Sequence, residues 1–115
     1  MKRGDVILVR FPHPSGVRGK RRPAVIVQSD AYAGLIRTLV VAEITGNLAM
    51  VADPACLYID AGTPEGAGTG VVKNSLVSCL LLVTISADAC TTLGVISPPL
   101  MQKLDDCLKA ALGLP

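Results

Sequence analysis

The apolar residues of this 115-residue chain come in short, β-branched runs separated by Gly, Pro and polar residues, and that segmentation decides what it can fold into. Residues 6–11 (VILVRF) read as a strand. Residues 12–22 hold two prolines, two glycines and four basic side chains, a loop long for a hairpin. Residues 24–28 (AVIVQ) form a second strand, opened by Pro23, where a missing N–H does least harm to the ladder. Residues 38–44 (TLVVAEI) are apolar up to Glu43 and read as a central strand, ended by the turn chemistry of Thr45-Gly46-Asn47. Residues 56–59 are a short strand, residues 60–70 a glycine-rich loop, and residues 71–72 and 76–85 further strand material. Residues 86–89 read as a turn and residues 94–97 as a short closing strand.

The last element has a different period. Leu100, Leu104, Leu108, Ala111 and Leu112 recur at three- and four-residue steps, which puts them on one face of a helix. Ser97 is its N-cap, Pro98 and Pro99 suit its first turn, and Gly113 and Pro115 stop it. Short strands followed by one amphipathic helix predict a mainly β fold, a small β-barrel with the helix packed on it.

Residues 1–115 are expected to form a single domain, too short for a second core. Half of the residues are hydrophobic and only 17% are charged, more apolar surface than so small a domain hides alone. A symmetric homodimer is the simplest way to cover it. A membrane span is excluded by this reading, because no window reaches the roughly 20 uninterrupted apolar residues that a spanning helix needs. Residues 6–9 are too short for a signal-peptide core, so a soluble cytoplasmic protein is expected.

Charge is unevenly spread. Residues 1–22 carry seven basic side chains against Asp5, a net +6, whereas residues 23–115 carry four basic and eight acidic ones, a net −4. Concentrated positive charge points to an anionic partner, with nucleic acid the commonest. Cys56, Cys79, Cys90 and Cys107 lie 23, 11 and 17 residues apart, with no C-x-x-C pair, and His13 is the only histidine. That spacing fits no metal site, and the thiols read as small buried apolar groups. No cofactor fingerprint occurs.

The basic loop carries the best candidates for chemistry. Arg22, beside Pro23 at the start of a strand, is held on a rigid element, and its planar fork of donors matches a phosphate. Such a group can stabilise the extra negative charge of a phosphoryl transition state. Arg18, Lys20 and Arg21 are looser and suit salt-sensitive grip on a nucleic-acid backbone. Thr45 ends its strand with a hydroxyl that could bond a phosphate oxygen, or simply shape the turn. Lys73, Asn74 and Ser75 interrupt strand material with three polar groups, as phosphate or base contacts or as a solvent-facing bulge. His13 has the pKa for proton shuttling but sits between two prolines in the loop, where plain exposure is the commoner role. Glu43, Asp5 and Asp60 show no pairing in the sequence.

Lys2-Arg3-Gly4-Asp5-Val6, then Arg22-Pro23-Ala24-Val25-Ile26-Val27, then Val41-Ala42-Glu43-Ile44-Thr45 resemble the MazF/PemK toxins in order along the chain. Thr69-Gly70-Val71-Val72-Lys73, Leu82-Val83-Thr84-Ile85 and the stretch from Gly94 into a final helix extend the resemblance over nearly the whole length. The resemblance implies an SH3-like barrel, a homodimer, and sequence-specific cleavage of single-stranded RNA (mRNA) without a metal. It implies attack by the ribose 2′-OH on the adjacent phosphate, leaving a 2′,3′-cyclic phosphate and a 5′-OH. The family's Arg-Pro arginine falls on Arg22 and its strand-end threonine on Thr45. A cognate antitoxin is also implied, with its C-terminal segment in the RNA groove.

The chain departs from the family pattern at three places. Ser75 stands where some members carry an Asp used in proton transfer, and Ser86 replaces the aspartate of the T-I-D segment, with Asp88 nearby. Ser15-Gly16-Val17 replaces the frequent Gly-Ser/His-Glu signature. Ser75 is no general base at neutral pH, so two rivals stay open: a diverged RNA- or antitoxin-binding protein, and a gyrase-poisoning toxin of the same fold acting through its terminal helix.

Overall fold

The computed structural model describes residues 1–10 and 20–115; the basic-loop residues His13 and Arg18 lie outside them. Among the described residues, six strands, β1 (Asp5–Arg10), β2 (Arg21–Ile26), β3 (Thr38–Thr45), β4 (Cys56–Ile59), β5 (Ser75–Ser86) and β6 (Cys90–Val95), form one antiparallel sheet. Two helices accompany them, α1 (Pro64–Gly68) and α2 (Pro98–Leu112).

The chain is mainly β with α, as expected, but the expected SH3-like β-barrel does not form. The strand order is β4-β5-β3-β2-β1-β6, and the edge strands β4 and β6 do not pair. The physical reason lies in what reaches β6. The segment leaving α1 approaches it as bare backbone: a Cβ on Gly94 would lie 2.3 Å from the Gly68 carbonyl oxygen, and one on Gly70 2.6 Å from that of Leu93. Only glycines allow this approach, and Gly70 has in addition a positive φ of 82°. Residues 68–70 therefore stand against β6, and β4 is only four residues long.

Consecutive residues of the central strands point into two separate apolar clusters, as the pleat requires. Val6 pairs with Val25 and faces the larger one, which gathers Ala42, Ile44, Ile59, Val77, Leu104 and Cys107. Ile7 pairs with Ala24 and faces the smaller one, with Val9, Ile26, Val41 and Ile85. Burial on both sides is why residues 38–44 read as a continuous apolar run.

β5 extends two residues beyond expectation and contains a bulge. Ala42 pairs with Leu82 but Glu43 with Ser78, so residues 79–81 are extra. The break lets one strand serve β3 along its length and β4 at its start, and it turns Leu80 and Leu81 outward. Val71 and Val72 are not strand, and Val72 is almost fully exposed. α1 forms inside the expected loop, with Thr63 Oγ1 accepting from the Gly66 N–H at 3.0 Å. The turn at 86–89 is a single 3-10 turn at Ala87–Ala89, and the closing strand starts earlier than expected, at Cys90.

α2 begins and ends where its punctuation predicts. Gly113 takes the left-handed conformation, with φ 69°, and the Leu114 N–H returns to the Lys109 carbonyl at 2.9 Å. Ser97 occupies the cap position but its hydroxyl donates to the Glu65 carboxylate, tying α2 to α1. Leu104 and Cys107 are buried, with Leu100, Leu108 and Ala111 partly so; Leu112 is exposed. Among the described residues, no helix is long and apolar enough to cross a membrane.

Candidate nucleic-acid cleavage site

β2 and β3 run antiparallel, so the start of one lies beside the end of the other. That brings Arg22 and Thr45 to the same end of two neighbouring inner strands. Ala24 pairs with Glu43, and Arg22, two residues earlier, shares their face. Arg22 Nη1 donates to Glu43 Oε1 at 2.8 Å. The Glu43 side chain is only 12% exposed against 55% for Arg22, so the better-buried carboxylate holds one edge of a guanidinium that otherwise faces solvent.

Thr45 Oγ1 accepts the backbone N–H of Asn47 at 3.1 Å, which leaves its own proton to donate. Asn47 Oδ1 in turn accepts from the Ala49 N–H at 3.0 Å, so the turn after β3 is braced twice. Lys73 lies over this turn: its Nζ is 2.8 Å from where a Gly46 Cβ would stand, and glycine leaves that space open.

Arg22, Thr45 and Lys73 line one cleft of about 350 Å³, with Ser75 as a further polar residue and Pro23, Ile44, Val71 and Leu93 among its apolar walls. Ser75 is buried and its hydroxyl donates to the Lys73 carbonyl at 2.9 Å, so it fixes the backbone that carries Lys73. Asn74 does not line the cleft; its Oδ1 accepts from the Ala61 N–H at 2.9 Å. Lys20 is exposed just before β2. Arg21 pairs with Arg10 and lines a different cleft.

Sequence reasoning missed the link between Glu43 and Arg22. The signal was present, since Glu43 is the one charge in the run 38–44, but its partner is 21 residues away. A second cleft of about 200 Å³ adjoins Thr45 on its other side, largely apolar and lined by Met50, Leu76, Leu80 and Leu81 among others.

All four cysteines are free, and Cys56, Cys79 and Cys107 are buried. Burial first, then the neighbouring Cys107 and Cys56, pushes the Cys79 thiol up to about 12, so it stays protonated and unreactive near neutrality. Among the described residues, no group of three or more His, Cys, Asp or Glu could hold a metal ion.

Residues 2–112 match the sequence pattern of the PemK-like, MazF-like toxins of type II toxin–antitoxin systems. Endoribonuclease MazF2 of Mycobacterium bovis is 31% identical over 117 residues, covering 99% of this chain and 98% of that protein. Endoribonuclease MazF6 of Mycobacterium tuberculosis shows the same identity and coverage. Among solved structures, a mycobacterial endoribonuclease in complex with its cognate antitoxin superposes with a TM-score of 0.79 at 21% identity, over 100% of this chain and 97% of that one. Mycobacterium tuberculosis toxin MazF-mt6 follows at 0.77 and 19%, over 96% and 98%. A family pattern spanning nearly the whole chain, and relatives matched end to end, show that this protein belongs to the PemK/MazF family of type II toxin–antitoxin toxins.

Proposed function

We propose that this protein is an endoribonuclease toxin that cuts single-stranded RNA, mRNA in the cell, at specific sequences without a metal. The observation that carries the reading is the cleft where Arg22, Thr45 and Lys73 meet. The 2′-oxygen attacks the adjacent phosphorus, and the bond to the 5′-oxygen breaks. The 2′-hydroxyl proton leaves, the 5′-oxygen gains one, and the ends are a 2′,3′-cyclic phosphate and a 5′-OH. Arg22 directs its other N–H groups at the phosphoryl oxygens while Glu43 holds one edge of its guanidinium. The Thr45 hydroxyl donates to one non-bridging oxygen, and Lys73 adds a second positive charge. Ser75 has its hydroxyl committed to the backbone and acts as a brace. Asn74 lies outside the cleft and braces the Ala61 backbone beside it, and Arg18, Lys20 and Arg21 hold the RNA backbone.

The test is incubation of the purified protein with long single-stranded RNA in EDTA, followed by end analysis. Cleavage with 5′-OH ends that a kinase labels without prior phosphatase treatment is expected. Intact RNA, or fragments with 5′-phosphates, would overturn the reading.

The same proposal includes a cytoplasmic homodimer and a cognate antitoxin whose C-terminal segment, acidic to suit this basic cleft, blocks RNA entry. Leu80, Leu81 and Met50 form an exposed apolar patch around the cleft beside Thr45, and this is the proposed contact between copies. Leu81→Glu would place a charge inside that contact and should weaken association by roughly tenfold or more. Light scattering during size exclusion reads this as a shift from dimer to monomer; an unchanged dimer would move the interface elsewhere.

A further inference from the structure

The chain turns after β3 over Thr45, Gly46 and Asn47. Thr45 Oγ1 accepts the Asn47 N–H, so the turn closes on that hydroxyl and leaves Gly46 exposed between them. Backbone conformation does not demand a glycine at this point. Among the described residues, the glycines with positive φ are Gly4, Gly34, Gly70 and Gly113, and Gly46 lies outside that region. Space does demand one. A Cβ at position 46 would lie 2.7 Å from Lys73 Cε, 2.8 Å from Nζ and 3.7 Å from Cδ. Carbon atoms in contact settle at about 3.5–4.0 Å, so the end of Lys73 fills the place where a side chain at 46 would begin.

Lys73 has little else to hold it. Its carbonyl accepts the Ser75 hydroxyl at 2.9 Å, which fixes the backbone. Among the described residues, no carboxylate lies within ion-pair distance of its ammonium. A lysine on a flexible stem spreads over many rotamers, and its charge then acts weakly at any one point. Here the stem lies on bare turn backbone instead, and Arg22, Thr45, Gly46 and Lys73 line the same cleft.

We propose that Gly46 is a positioning residue for RNA cleavage: its bare backbone seats the Lys73 side chain and so holds the ammonium at the cleft wall shared with Thr45 and Arg22. The inference rests on the RNA-cleaving reading above. Gly46 touches no reacting atom and acts through Lys73. A substitution at 46 therefore moves the second positive charge without removing it. The loss falls on kcat, where the placement of a charge counts, rather than on KM, to which a charge anywhere in the cleft contributes.

The test compares wild type with Gly46→Ala, Gly46→Ser, Lys73→Ala and the Gly46→Ala/Lys73→Ala double variant on long single-stranded RNA. Gly46→Ala should lower kcat roughly tenfold with KM within about twofold of wild type, and Gly46→Ser should lose at least as much. The slope of log affinity against log salt should stay as in wild type for Gly46→Ala and become shallower by about 0.7 for Lys73→Ala, which removes one phosphate contact. The double variant should be no slower than Lys73→Ala, because the glycine then has nothing to seat. The urea midpoint of Gly46→Ala should match wild type, since the atoms in the way are the far end of an exposed, flexible side chain.

Full activity of Gly46→Ala would overturn the proposal. So would a double variant slower than Lys73→Ala by the whole Gly46→Ala factor, or a large fall in the urea midpoint, either of which would give the glycine a role in the turn alone. NMR of the Lys73 Cε–Hε groups, assigned with Lys73→Ala, decides the seat without any cleavage. Gly46→Ala should shift and sharpen the Lys73 signals as the stem is released, leaving those of Lys2, Lys103 and Lys109 in place. If wild type leaves RNA intact, the cleavage reading fails by itself; if the Lys73 signals do not change in Gly46→Ala, the seat fails by itself.

Discussion

Arg22→Ala is expected to lower kcat for RNA cleavage by about 10²- to 10³-fold with little change in KM. The size follows from the role: a fixed donor aimed at charge that develops in the transition state, next to a carboxylate that holds it in place. The fold should survive, because Arg22 is half exposed and its ion pair contributes no more than about 1 kcal/mol. Arg22→Lys keeps the charge but loses the planar fork, and should recover only part of the rate. Glu43→Gln separates holding from charge. The amide still occupies the space but binds the guanidinium less firmly, so a loss of roughly tenfold in kcat is expected, smaller than that of Arg22→Ala. Steady-state cleavage of a fluorogenic RNA oligonucleotide measures all three. If Arg22→Ala cuts as fast as wild type, the assignment of Arg22 is wrong.

Leu104→Ala should destabilise the protein by about 2–5 kcal/mol. Leu104 is fully buried, on the face of α2 that closes the larger apolar cluster against β4 and β5. Truncating it there leaves a cavity that the sheet beneath cannot fill, since Ile59 and Val77 are themselves fully enclosed. Leu112→Ala, on an exposed position of the same helix, should cost less than about 0.5 kcal/mol. Urea unfolding at fixed protein concentration tests the contrast: a lower midpoint with an unchanged slope for Leu104→Ala, and little shift for Leu112→Ala. Equal effects would mean that the helix does not dock through Leu104.

How much of this was legible in the sequence differs by element. The helix was readable almost to the residue, because its prolines and its terminal glycine act within one turn of chain. The short helix Pro64–Gly68 was not, although Thr63, Pro64 and Glu65 carry a good start signal; the glycines around it outweighed that signal in a reading by composition. The bulge in β5 was invisible, since nothing local in Ser78 to Leu82 says that the strand must serve two partners. The barrel expectation failed for a related reason. Closure depends on what stands beside the edge strands, and here glycines at 70 and 94 let a connecting segment stand against β6.

The cleft beside Arg22 shows the same division. By itself, the sequence determined the alternation that makes the strands, the terminal helix, the concentration of positive charge before residue 23, and Arg22 and Thr45 as candidates at strand ends. Only the tertiary structure decided that the two strand ends meet, that Glu43 grips Arg22, that Lys73 lies over Gly46, and that Arg21 turns away to face Arg10. Propensity, capping and charge act over a few residues and are written in order along the chain. Register, sheet closure and ion pairs between residues 21 positions apart arise when distant segments compete for the same neighbours, and packing settles that competition.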